Sequence, residues 1–153
     1  MRFLLMILTL LSFTAQGEQS PCETLDQDLT GYWQYDRYSY QGQEHPRPNP
    51  RLLLYFQFFE TGTNRIWWER TNEDGFCERF GTYTYNPEQC TFTDKIVWVN
   101  PENNAECGSD PDMRLGRVAS SRLEVNEGNL HLYFELKGEP FVYIFERLES
   151  TAD

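Results

Sequence analysis

Histidine is scarce in this 153-residue sequence, which carries only His45 and His131. Its four cysteines, Cys22, Cys77, Cys90 and Cys107, include no closely spaced pair. A zinc site, the rival use of those cysteines, therefore lacks its usual ligand spacing, and no Cys-His haem attachment signature is present. No glycine-rich loop follows a strand to cradle a phosphate. Serines occur, but no motif joins one to a histidine and a carboxylate for nucleophilic attack. We therefore expect no enzyme, no cofactor and no metal. Basic residues are also few, with 13 Lys and Arg against 24 Asp and Glu and a net charge of -11. That surface repels nucleic acid and anionic membrane faces. It favours basic partners, although acidity is also an ordinary route to solubility. Beyond the N-terminus, no hydrophobic run is long enough to cross a membrane as a helix. No long segment there repeats apolar residues at helical spacing either.

What is present begins with an address. Arg2 is the only charge before an apolar run over 3–13, and Ala15-Gln16-Gly17 sets small residues at the -3 and -1 positions of a cleavage site. This pattern predicts a signal peptide over residues 1–17. Its run of about eleven residues is too short to anchor in a bilayer. Pro21 directly before Cys22 argues against a lipid anchor. Residues 18–153 are then expected as a single exported domain, monomeric, in the periplasm or outside the cell. All four cysteines remain after cleavage, and an oxidising compartment makes two disulfides the default.

Eight β-type segments follow: 32–40, 52–59, 64–70, 76–85, 91–99, 115–125, 130–137 and 141–148. Asn72-Glu73-Asp74-Gly75, Asn126-Glu127-Gly128-Asn129 and Gly138-Glu139 supply turn chemistry, and Asn86-Pro87-Glu88 breaks the chain. Leu130, Leu132, Phe134 and Leu136 alternate with His131, Tyr133, Glu135 and Lys137. Such alternation gives a strand one dry face and one wet face. Leu52, Leu54, Phe56 and Phe58 repeat it. The reading is all-β: an eight-stranded antiparallel up-and-down meander. Closing it into a barrel removes both edges, while periodicity alone also admits a sandwich. His131 reads as an ordinary exposed strand residue, and His45 sits in a Pro-broken loop over 43–48.

Gly31-Tyr32-Trp33 opens the first segment just after residues 22–30, and Arg147 lies near the end of the last. This layout resembles a lipocalin-like domain. The resemblance implies a short helical turn before a G-x-W motif at the closed end of the barrel. Trp33 would pack in the barrel floor with Arg147 across it. An Arg over an indole gains cation–π attraction while its stem covers the ring. The layout covers nearly the whole of 18–153, whereas the motif covers only those few residues. The chain lacks the long helix after the last strand and the Thr-Asp-Tyr motif of classical lipocalins. It looks more like the compact bacterial lipocalin-like domains.

A meander that starts at the closed end alternates its connections between the two ends. Cys77 and Cys107 then fall at the open end, Cys22 and Cys90 at the closed end. Disulfides need Cα atoms within about 7 Å, so Cys22–Cys90 and Cys77–Cys107 are the expected pairs.

If Trp33 points inward, Tyr35, Arg37 and Ser39 share its face. Arg37 would rise toward the mouth and meet an internal carboxylate or the carboxylate of a fatty-acid-like ligand, unless a β-bulge turns it outward. Arg70 and Arg79, on neighbouring strands, could add to a basic lumen. Trp67-Trp68 puts one ring on each face, so one points away from the core as a partner anchor or a scattered exposed ring. The connection over 100–113 carries Glu102, Glu106, Asp110 and Asp112. It matches no calcium-loop spacing and reads as a solvated lip over the mouth. Candidate ligand-binding residues are Tyr35, Arg37, Trp68 and Tyr83. The leading expectation is a small, partly apolar or amphipathic ligand inside the barrel. The alternative is an envelope module that binds or inhibits a protein partner through the acidic loop and exposed aromatics.

Overall fold

Backbone pairing is antiparallel throughout. A computed structural model describes Cys22 and residues 29–149; the expected signal peptide and the helical turn before Trp33 lie outside the described residues. The strands are β1 (Gly31–Tyr40), β2 (Gln43–Pro46), β3 (Leu52–Phe58), β4 (Thr63–Arg70), β5 (Phe76–Asn86), β6 (Thr91–Val99), β7 (Val118–Asn126), β8 (Asn129–Leu136) and β9 (Glu139–Leu148). Sheet order is β2-β1-β3-β4-β5-β6-β7-β8-β9, and β1 also pairs with β9. The eight long strands thus form a closed barrel, as the alternation and turn signals predict. Among the described residues no helix is long and apolar enough to cross a membrane.

The ninth strand corrects the sequence reading of residues 43–48 as a loop. Gln41 and Gly42 have φ of 51° and 74°, and Tyr40 pairs with Gln43 directly across them. Two central residues with positive φ match the twist of a tight hairpin. Pro46 ends β2, where a missing N–H does no harm.

This hairpin shapes the mouth. Residues 31–34 of β1 pair with β3, but residues 37–40 pair with β2 instead. The upper part of β3 therefore parts from β1, and Arg47 donates to the freed Leu52 carbonyl at 2.8 Å. On the opposite side, β7 and β8 pair only from Arg122↔Tyr133 to Asn126↔Asn129. Above that point β7 stays with β6 and β8 with β9. At its open end the barrel wall thus divides into two lobes, β3–β7 and β8-β9-β1-β2.

The closed end is packed solid. Trp33, Leu29, Phe58, Leu123 and Leu130 are almost wholly buried there, in one cluster with Phe56 and Phe92. Arg147 lies 4.3 Å over the Trp33 ring, the arrangement that the resemblance implies. Cys22 pairs with Cys90 at a Cα separation of 5.4 Å. Cys77 pairs with Cys107 at 5.7 Å and ties the 100–117 connection to β5. Both pairs are those expected from alternating connections. Replacing Cys77 and Cys107 with Ser should lower stability by about 2–4 kcal/mol, read as a shift in the urea midpoint.

Candidate functional site

Inward side chains of both lobes line a cavity of ≈ 280 Å³ at the open end. The β3–β4 wall contributes Leu52, Leu54, Ile66 and Trp68; the facing wall contributes Leu132, Phe134, Tyr143 and Phe145. These positions alternate along their strands, so the period of two seen in the sequence puts them on one face. Rings meet edge-on across the facing wall, with Phe134 and Tyr143 at 5.4 Å and Tyr35 and Tyr143 at 5.0 Å.

Charge enters at the rim. Arg70, Asp110 and Asp112 join the lining. The last two come from the 100–117 connection, which is folded rather than loose. Two short 3-10 turns, Ala105–Ser109 and Pro111–Met113, build it. Asn104 and Asp110 cap these turns by accepting from the Glu106 and Asp112 amides. Asn103 bonds the Glu78 backbone through both its amide atoms, at 2.7 and 2.9 Å. The solvated lip of the sequence reading is therefore an ordered one that brings two carboxylates to the cavity. Nothing in the local sequence showed which of its four acids would reach inward.

Below the mouth, Arg79 does enter the lumen, but it does not make the lumen basic. Arg79 Nη2 meets Asp94 at 2.6 Å, and Asn64 donates to the same carboxylate at 2.8 Å. These three residues are 3%, 6% and 0% exposed for Arg79, Asp94 and Asn64. Gly81 leaves the space: a Cβ there would collide with the Asp94 carboxylate. Sequence reasoning missed this triad because its members lie on three strands.

The four candidate ligand residues separate. Trp68 lines the cavity. Tyr35 is 3% exposed beside Tyr143 and Phe145, and its hydroxyl has no hydrogen-bond partner among the described residues. Tyr83 sits deeper, against Phe58 at 5.2 Å and Phe92 at 5.7 Å. Arg37 is outside. The ladder slips between Tyr35 and Arg37, and this bulge reverses the face of every later residue in β1. Arg37 consequently pairs with Asp36 and Glu44, both at 2.7 Å, while Tyr38 turns in to stack on Phe141 at 5.2 Å. His131 is half-buried rather than exposed, and burial holds its pKa below the ordinary value.

The tyrosines carry a pH signature. Burial, then the neighbouring Tyr143 and Tyr38, push Tyr35 from 10.0 up to about 12. Burial and a hydrogen bond to Glu124 do the same for Tyr133. A raised folded-state pKa favours the neutral phenol, so the associated stability is fully present below pH 10.0 and is lost as pH rises toward about 12. Urea midpoints should therefore fall over that window, with a smaller fall in Tyr133→Phe.

Outside the barrel, Tyr32, Tyr55, Trp67 and Leu148 form an apolar strip with Arg65 and Gln57. Trp67 is thus the outward ring of the Trp67-Trp68 pair. Among the described residues one group, Cys22, Cys90 and Glu124, is close enough to hold a metal ion. Its two sulfurs are tied to each other and offer no thiolate. A scan of protein-family models and a search of curated proteins find no match to the chain.

Proposed function

We propose that this is an exported, lipocalin-like protein that binds a small, partly apolar ligand in the mouth of its barrel. One observation carries the reading: the two-lobed mouth holds an open, mainly apolar, aromatic-lined cavity of ≈ 280 Å³. A packed barrel without a ligand would have filled it with side chains. The volume is near the lower bound of about 300 Å³ for small-molecule sites, so the ligand is small. The paired cysteines agree with an oxidising compartment.

Native mass spectrometry of gently purified protein tests this. A reproducible added mass, released on denaturation and lost in Trp68→Ala, is the supporting result. A bare mass, with no change in Trp fluorescence across a panel of small aromatic and aliphatic compounds, would count against it. The outer strip of Tyr32, Tyr55 and Trp67 favours a second reading, a protein-binding module, because exposed aromatics dominate interface hot spots. Capture of a specific partner that Trp67→Ala abolishes and Trp68→Ala leaves intact would favour it.

A further inference from the structure

We propose that the mouth cavity selects an organic cation, a protonated amine or quaternary ammonium carried on a small apolar or aromatic body. This inference rests on the ligand-binding reading above and adds the charge of the ligand.

The argument starts from which charges at the cavity are already neutralised. Arg70 is the one cation in the lining, and Glu73 and Glu106 hold it at 3.4 and 3.8 Å. Asp112 holds Arg117. Asp110 lines the cavity but has no ion-pair partner among the described residues. Its one side-chain bond is to the Asp112 amide, at 2.8 Å. The cavity therefore has one uncompensated charge, and that charge is negative.

The surroundings have the same sign. Asp110, Arg70 and Trp68 also line an adjoining cleft of ≈ 320 Å³. Its other charged residues, Glu69, Glu73, Asp74 and Glu106, are all acidic. Tyr143, on the facing wall, senses this field: burial raises its pKa first, and Asp112 and Asp110 raise it further. A ligand anion would meet the same opposition as a phenolate. No second cation joins the lining: Arg79 is bound to Asp94 in the triad, Arg37 lies on the outer surface among Asp36 and Glu44, and Arg47 at the mouth stays outside the lining, where it donates to the Leu52 carbonyl.

The walls suit a cation as well as the rim does. Trp68, Phe134 and Tyr143 line the same cavity as Asp110. Aromatic faces attract ammonium groups, most strongly where water is excluded. At roughly 30 Å³ per water-sized group, the volume suits about nine non-hydrogen atoms. Leu52, Leu54 and Ile66 take the apolar body.

The experiment compares phenylethylammonium, phenylethanol and phenylacetate by calorimetry and Trp fluorescence at low salt. They share an aromatic body and differ in charge. The full chain, Asp110→Asn and Glu88→Gln are each titrated. Asn keeps an acceptor for the Asp112 amide, and Glu88 is an exposed acid at the closed end, where it reports the overall charge. We expect the ammonium to bind about tenfold more tightly than the alcohol. Asp110→Asn should remove most of that advantage, and a melting curve that matches the parent shows that the variant is folded. Glu88→Gln should change neither. Equal or weaker binding of the ammonium than of the alcohol or the acid overturns the charge assignment and leaves the ligand-binding reading standing. So does an equal loss in Glu88→Gln. Failure of all three compounds to bind the full chain overturns both.

Discussion

Asp94→Ala should lower the unfolding free energy by about 3–5 kcal/mol. The carboxylate is the hub of the lumenal triad, taking Arg79 at 2.6 Å and Asn64 at 2.8 Å. Arg79 is 3% exposed, and among the described residues no other carboxylate is bonded to it. A buried charge that loses its partner retains its full desolvation penalty. The Nε atom of Arg79 already lacks a hydrogen-bond partner among the described residues, so the guanidinium has little left to fall back on. Removing both charges is a different experiment. Arg79→Met combined with Asp94→Leu leaves no buried charge, only the Asn64 amide without its two partners, and should lose less than Asp94→Ala, since apolar replacements of a buried pair are often neutral while an unpaired amide costs about 1–3 kcal/mol. Arg79→Met and Asp94→Leu made singly should each cost more than the double, a strong non-additivity. Urea unfolding of the three proteins measures this. A loss of less than about 1 kcal/mol in Asp94→Ala would show that the pair behaves as a solvated one.

The same triad shows where sequence reading stops. Eight strands were legible because two of them, over 52–59 and 130–137, alternate cleanly and turn residues or chain breaks separate the rest. The cysteine pairs were legible because alternating connections sort the chain into two ends. Those signals are local, or follow from connectivity alone. Arg37 shows the limit of the first kind. Its inward placement required unbroken alternation from Trp33; the sequence raised a bulge as the alternative but could not locate one, and a bulged residue after Tyr35 turns Arg37 outward. The period then runs the other way, which is why Tyr38 reaches the core cluster. Asn64, Gly81 and Asp94 show the limit of the second kind. They meet only because β5 aligns Gly81 with Asn64 on one side and with Ile96 on the other. A glycine in mid-strand was a usable sign of close approach, and it was not used. The two-lobed mouth was hidden for a related reason. It depends on β1 changing partner from β3 to β2, and β2 is a strand of four residues that two prolines and a polar sequence disguise as a loop.

Trp33→Ala should destabilise the barrel by about 3–5 kcal/mol, and its interest lies in what it leaves unchanged. Trp33 is 0% exposed and stands where the barrel closes. It pairs with Phe56 on β3 and with Arg147 on β9. Its Nε1 donates to the Leu29 carbonyl at 2.8 Å, and Arg147 covers the ring while donating to the Thr30 carbonyl at 2.9 Å. One side chain thus holds the seam, the floor and the entering chain together. Truncation leaves a cavity among neighbours that three strands hold in place, so collapse into it is restricted. Trp33→Phe keeps much of the volume but loses the N–H bond, and should fall between the two. The ligand cavity lies at the other end, lined by none of these residues except Phe56. Ligand affinity in Trp33→Phe should therefore match that of the parent while its melting temperature falls. Trp68→Phe should show the reverse, because its ring lines the mouth and is only partly buried. Parallel melting curves and titrations of the two variants would separate the floor from the site. A ligand affinity that follows stability in both would instead place binding under control of barrel closure as a whole.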